Sequence, residues 1–179
     1  MTTALLIIDV QQALCAGRYA AFDIDRVIEK INSTSAKARA AGAMVVFIQH
    51  EEDDGPLRFG DEWWQLAAGL ETAESDLRIR KTTPDSFHQT DLQRVLQDQG
   101  VTQLVVCGLQ SDFCVDTTVR RALALGYPVA LVADAHSTLD NGVLSAAQII
   151  AHHNTTLANM TSFGPRVTVT PASELAWPA

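Results

Sequence analysis

Four short apolar runs constrain this chain more than any other feature of it. They occupy residues 4–8 (ALLII), 43–48 (AMVVFI), 104–109 (LVVCGL) and 129–132 (VALV). Each run is nearly continuous. A strand with one wet face alternates apolar and polar residues, whereas a strand buried on both faces does not need to. Residues 77–80 (LRIR) and 166–169 (RVTV) are two weaker strand candidates. Helical spacing fills the gaps between the runs. From Asp23 to Ala41, Ile24, Val27, Ile28 and Ile31 share one face, and Gly42 closes the pattern. Thr90-Asp91-Leu92-Gln93 fits a capping box, with Gly100 as the stop. From Asp112, the residues Val115, Val119, Ala122 and Leu123 repeat at helical spacing before Gly126 and Pro128. Val143, Ala147, Ile150, Ala151 and Ala158 mark a last helix. Strand alternating with helix predicts a layered α/β domain on a parallel sheet with right-handed crossovers.

The 179 residues show no repeat, linker or low-complexity tract, so residues 1–179 read as a single domain. A hydrophobic fraction of 47% against 19% charged excludes a disordered chain. Thirteen Lys+Arg against 21 Asp+Glu give a net charge of −8, which argues against nucleic acid or an anionic membrane as a partner. No apolar stretch approaches a membrane span, and the MTTALLIIDV start is too short for a secretory signal. The 3 cysteines have no C-x-x-C spacing. A reduced, cytoplasmic, soluble protein is expected, with a small-molecule substrate and a homodimeric or higher homo-oligomeric state. There is no P-loop and no G-x-G-x-x-G, so nucleotide binding has no support, and no cofactor is expected.

In open α/β sheets ligands bind beyond the carboxyl ends of the strands. Asp9, His50, Lys81, Gly108 to Cys114, Asp134 and His136 all follow a predicted strand. An acid, a base and a thiol thus converge on one rim. Cys114 falls in the first turn of a predicted helix, where free N–H groups and the helix dipole lower a thiol pKa and can hold an oxyanion. The plainer reading is a small packing residue. Cys107, inside an apolar strand, is expected to be inert, and Cys15 to be a bystander. Asp9 is either a turn cap or a carboxylate in a partly dry cleft that accepts the thiol proton. Lys81 is either a solvated strand-end lysine or the charge that keeps Asp9 ionised. Between residues 50 and 74 an acidic run (Glu51 to Asp54) and Trp63-Trp64 decorate a long connection, either a surface excursion or part of a binding site. His50 has no second histidine at ligand spacing, so no metal is expected. His136 is a candidate for substrate contact or a Cys–His pair.

These residues resemble the isochorismatase-like cysteine hydrolase superfamily over most of the chain. The resemblance lies in LLIIDVQ, in RKTTPDSF, and above all in VVCGLQSDFCVDTTVRRALALGY followed by VALVADAHST. It implies a Rossmann-like three-layer sandwich with a mostly parallel six-stranded sheet, and an Asp9–Lys81–Cys114 catalytic triad. It also implies a cis peptide between Leu109 and Gln110, with the N–H groups of Gln110 and Cys114 as oxyanion hole. Nicotinamidases of the superfamily carry Asp-x-His after the second strand to bind a metal. Here that stretch reads Gln49-His50-Glu51-Glu52. A metal-independent cysteine hydrolase acting on a small-molecule amide or related C–N bond through a thioester is therefore expected. His50, Trp63, Trp64, Phe87, Gln110 and His136 are the candidate substrate contacts. The alternatives are an isochorismatase-type vinyl-ether hydrolase, with Asp9 as general acid, and a non-catalytic binding protein on the same fold.

Overall fold

The computed structural model describes residues 2–177. Six strands alternate with five helices: β1 Thr3–Ile8, α1 Gln12–Cys15, α2 Ile24–Ala40, β2 Met44–His50, β3 Leu77–Lys81, α3 Leu92–Asp98, β4 Gln103–Leu109, α4 Asp116–Ala124, β5 Val129–Ser137, α5 Ala146–Ala158 and β6 Val167–Thr170. The sheet order is β3-β2-β1-β4-β5-β6. Every pairing in it is parallel. The chain winds outward from β1 to β3, then returns to place β4 on the other side of β1. Ligands bind at that switch point in such sheets, beyond the carboxyl ends of β1 and β4.

The continuous apolar runs reflect two cores, one on each face. In β1, Ala4, Leu6 and Ile8 join α3, α4 and α5 residues such as Leu92, Leu96, Val119 and Leu157. Leu5 and Ile7 face the other way, toward Val27, Ile28, Ile31 and Ala38 of α2. All six residues of β1 are buried. The edge strand β3 is mostly exposed, so it tolerates Arg78 and Arg80 and gave only a weak apolar signal.

Three boundaries differ from the sequence reading. β5 runs on to Ser137, because a register shift between Val106 and Gly108 admits extra residues, so Asp134 and His136 lie within the strand. Before α3, Thr90 donates to the Ser86 carbonyl (2.7 Å), and the Asp91 side chain makes no cap bond. The reciprocal capping box forms instead at Ser145 and Gln148. That cap starts α5 and sets its phase. Ala146, Ile149 and Leu157 are buried, whereas Val143, Ala147 and Ala151 are exposed. Alanines on both sides of the helix had hidden which face packs.

The connection between β2 and β3 is stitched to the rim. Gln11 and Leu66 form an antiparallel bridge. The Gln12 and Ala67 amides donate to the Gln65 and Val10 carbonyls, each at 2.9 Å. No helix among the described residues is long and apolar enough to cross a membrane.

Candidate active site

Three strands and one turn assemble the site. Asp9 leaves β1 in the left-handed region (φ 51°). Its amide donates to the Ile48 carbonyl at 2.8 Å, and its own carbonyl accepts from Gln11 N at 2.9 Å. Lys81 ends β3 opposite His50 in the register. Two strand spacings separate β3 from β1, about 10 Å, a span that needs a long side chain. Lys81 bridges it and places Nζ 2.6 Å from Asp9 Oδ2, with both side chains almost fully buried.

Cys114 comes from the other side of the switch point. Gly108 near the end of β4 has φ +113°, and a Cβ there would meet the Ile8 carbonyl oxygen at 2.1 Å. Glycine is therefore required for β4 to approach β1 this closely. The Leu109–Gln110 peptide is cis, as the resemblance implied. A wide π turn, Ser111–Val115, then runs into α4. The Gln110 carbonyl closes it by accepting from Phe113 N and Val115 N, each at 3.1 Å. This turn brings Cys114 Sγ to 3.2 Å from Lys81 Nζ.

The charge state of the thiol differs from the expectation. Burial, then the Asp9 carboxylate, pushes the Cys114 pKa up to about 12, and Lys81 offsets only part of this. The thiol therefore rests protonated. Asp9 Oδ1 is buried without a hydrogen-bond partner of its own, so it retains accepting capacity. Cys107 is fully buried in β4 and its pKa is also raised by burial. Cys15 is pushed up to about 12 in the same way.

The other sequence candidates divide. His50 is half-buried at the site, with Nδ1 3.4 Å from Lys81 Nζ. Gln110, where the cysteine turn begins, is half-buried, and Phe113 beside Cys114 is 56% exposed. Trp63 is exposed and lines a cleft of about 260 Å³ with Tyr19 and Pro56. Trp64 is buried, with its ring edge-on to Phe59 at 4.8 Å. Phe87 packs in the core and stacks on Tyr127 at 6.3 Å. His136 is buried, and burial lowers its pKa to about 4. Asn154 Nδ2 donates to the Ala133 carbonyl, which leaves Asn154 Oδ1 to accept from His136 Nε2 at 2.9 Å. Nδ1 then accepts from the Ser111 hydroxyl at 2.8 Å. Both ring nitrogens are used, and His136 serves to anchor the cysteine turn rather than to meet a substrate or pair with Cys114.

The sequence reading missed several polar supports. Gln11 is fully buried, and its Nε2 donates to the Trp64 carbonyl at 2.8 Å, a carbonyl that Gln49 Nε2 also reaches at 3.1 Å. Thr138 donates to Asp112, a second tie between β5 and the cysteine turn. A glutamine two residues past a strand-end acid was the available signal for Gln11. No group of three or more His, Cys, Asp or Glu among the described residues is placed to hold a metal ion.

A profile described as the isochorismatase domain matches residues 3–170. The chain belongs to the isochorismatase family. Among its relatives, streptothricin hydrolase of Streptomyces noursei is 41% identical over 138 residues, covering 76% of this chain and 55% of that protein. The chain thus spans about half the length of that relative. Ureidoacrylate amidohydrolase of Caulobacter vibrioides is 30% identical over 171 residues, covering 75% of this chain and 76% of that protein. Among solved structures, a cysteine hydrolase from Pseudomonas syringae superposes with a TM-score of 0.84 at 26% identity, covering 96% of this chain and 89% of that one. The isochorismatase-family fold therefore extends over nearly the whole domain, and the Asp9, Lys81 and Cys114 cluster sits at its switch point.

Proposed function

We propose that this isochorismatase-family chain hydrolyses a small-molecule amide or related C–N bond, with Cys114 as nucleophile and no metal. One observation carries the reading: Lys81 Nζ lies within hydrogen-bonding reach of both Asp9 Oδ2 and Cys114 Sγ, in a buried site. Asp9 takes the thiol proton as the sulfur attacks the carbonyl carbon. Lys81 stabilises the charge that develops on sulfur and holds the carboxylate in place. The N–H groups of Gln110 and Cys114 are the expected donors to the tetrahedral oxyanion. Asp9 then returns its proton to the leaving nitrogen. Water, activated by Asp9, cleaves the thioester and regenerates the thiol. A relative named as an amidohydrolase supports C–N chemistry over vinyl-ether cleavage. Three free cysteines fit the reducing cytoplasm.

A screen of primary amides, ureas and carbamoyl compounds for ammonia release tests the proposal. Wild type should release ammonia from a subset of them, and Cys114→Ala should not. No ammonia from any of these compounds, together with cleavage of a vinyl ether that survives Cys114→Ala, would favour the vinyl-ether route with Asp9 as general acid. No turnover of any compound by wild-type protein shown to be folded would favour a binding protein.

A further inference from the structure

Lys81 donates three ways. An ammonium carries three N–H groups and no acceptor. Two of its partners are Asp9 Oδ2 at 2.6 Å and Cys114 Sγ at 3.2 Å. The third is His50 Nδ1 at 3.4 Å. A nitrogen facing an ammonium must present its lone pair, so His50 carries its proton on Nε2. Burial and then Lys81 lower the His50 pKa below its ordinary 6.5, against opposing pulls from Asp9, Glu52 and Glu51. The ring is therefore neutral at neutral pH.

The backbone of His50 is held as firmly as its ring. Gln11 Oε1 accepts from His50 N at 2.8 Å, and Gln11 Nε2 donates to the His50 carbonyl at 3.0 Å. Register with Lys81 holds the residue from the other side. Nε2 has the carboxylate of Glu52 at 3.8 Å, beyond hydrogen-bonding reach. The result is an uncharged N–H with no short partner, on a ring that shares Lys81 Nζ with the Cys114 thiol. The Glu52 carboxylate, which has no cation paired with it among the described residues, stands nearest this N–H, so an anionic acceptor would meet like charge.

We propose that His50 is the substrate-reading residue of this site, with its Nε2–H donating to a neutral carbonyl acceptor on the substrate next to the group that Cys114 attacks. The role in turnover rests on the cysteine chemistry proposed above. The tautomer does not. Lys81 and Gln11 are positioning residues for this donor, and Glu52 excludes carboxylate-bearing analogues.

The first experiment needs no substrate. Two-bond proton–nitrogen correlation spectra of uniformly labelled wild-type protein, with the His50 signals assigned by their loss in His50→Gln, should show Nε2 protonated and Nδ1 bare at neutral pH. An Nδ1–H tautomer or an imidazolium there overturns the proposal. The second uses a primary amide from the screen. His50→Gln keeps a donor near the Nε2 position and should hold KM within about twofold, whereas His50→Leu should raise KM about three- to tenfold with kcat little changed, the value of one neutral hydrogen bond. An unchanged KM in His50→Leu, or a loss confined to kcat, overturns it. If Cys114→Ala retains turnover, the nucleophile assignment fails separately, and the spectra still decide the tautomer.

Discussion

Lys81 reaches Asp9 across an intervening strand, and the two close to 2.6 Å where neither meets solvent. A buried ion pair is sensitive to loss of one partner, because the charge left behind is unsolvated. Lys81→Met should therefore destabilise the fold by about 3–5 kcal/mol, read by denaturant unfolding. It should also slow alkylation of Cys114, since Lys81 is the group that lowers the thiol pKa. Unchanged stability would mean that the pair is solvated in solution.

Asp9→Asn separates two roles of one carboxylate. Asp9 raises the Cys114 pKa, and Lys81 opposes it. With the carboxylate neutralised, Lys81 acts alone and the thiol pKa falls. Alkylation of Cys114 by iodoacetamide at neutral pH should then become faster than in wild type. Amide turnover should nevertheless drop by about 10²–10⁴-fold, because no group remains to protonate the leaving nitrogen. Peptide mapping of the alkylated protein and ammonia release give the two readouts. Slower alkylation together with intact turnover would remove Asp9 from the chemistry.

His136 makes the fold sensitive to acid. Its folded pKa is about 4 against an ordinary 6.5, so the unfolded chain binds a proton that the buried ring refuses. Stability is complete above the ordinary value and falls as pH drops toward the folded value. The loss amounts to about 3 kcal/mol over that window. Melting temperatures across the window measure it, and His136→Gln should flatten the profile there. A wild-type profile that is flat over the same range would contradict the buried, neutral assignment.

Dialysis against a strong chelator should leave amide turnover within about twofold of its starting value, since no group of three or more His, Cys, Asp or Glu among the described residues is placed to hold a metal ion. A large loss restored by zinc or manganese would show that His50 and the acidic residues after it hold a metal.

The strands at the centre of the sheet were legible because burial on both faces leaves residues 4–8, 44–48 and 104–109, the bodies of β1, β2 and β4, without a polar side chain. The meeting of Asp9, Lys81 and Cys114 was legible from two strand ends and the turn that follows β4. Residues with several acceptable fates were not. His136 reads as a rim histidine until the β5 bulge is seen to carry it inside, onto Ser111 and Asn154. Phe87 and Trp63 share aromatic chemistry, yet one packs on Tyr127 and the other faces solvent. The direction of the Cys114 shift depended on how deeply the thiol is buried and how near Asp9 lies, neither of which a helix-start position reveals. Gln11 shows its value only through the backbone groups it reaches, which lie 39 and 53 residues away.

The sheet order has a consequence for folding. Lys81 comes from an outermost strand, while Asp9 and Cys114 flank the central pair β1 and β4. The cluster therefore needs two pairings: β2 with β3, where Val46 faces Leu77, and β1 with β4, where Thr3 faces Gln103. The second joins parts of the chain far more distant in sequence and is the slower to form. Until it forms, Cys114 is an exposed, ordinary thiol; once it forms, burial pushes its pKa up to about 12. During refolding, protection of Cys114 from iodoacetamide should therefore follow the closure of β4 onto β1 and lag behind the return of helical signal.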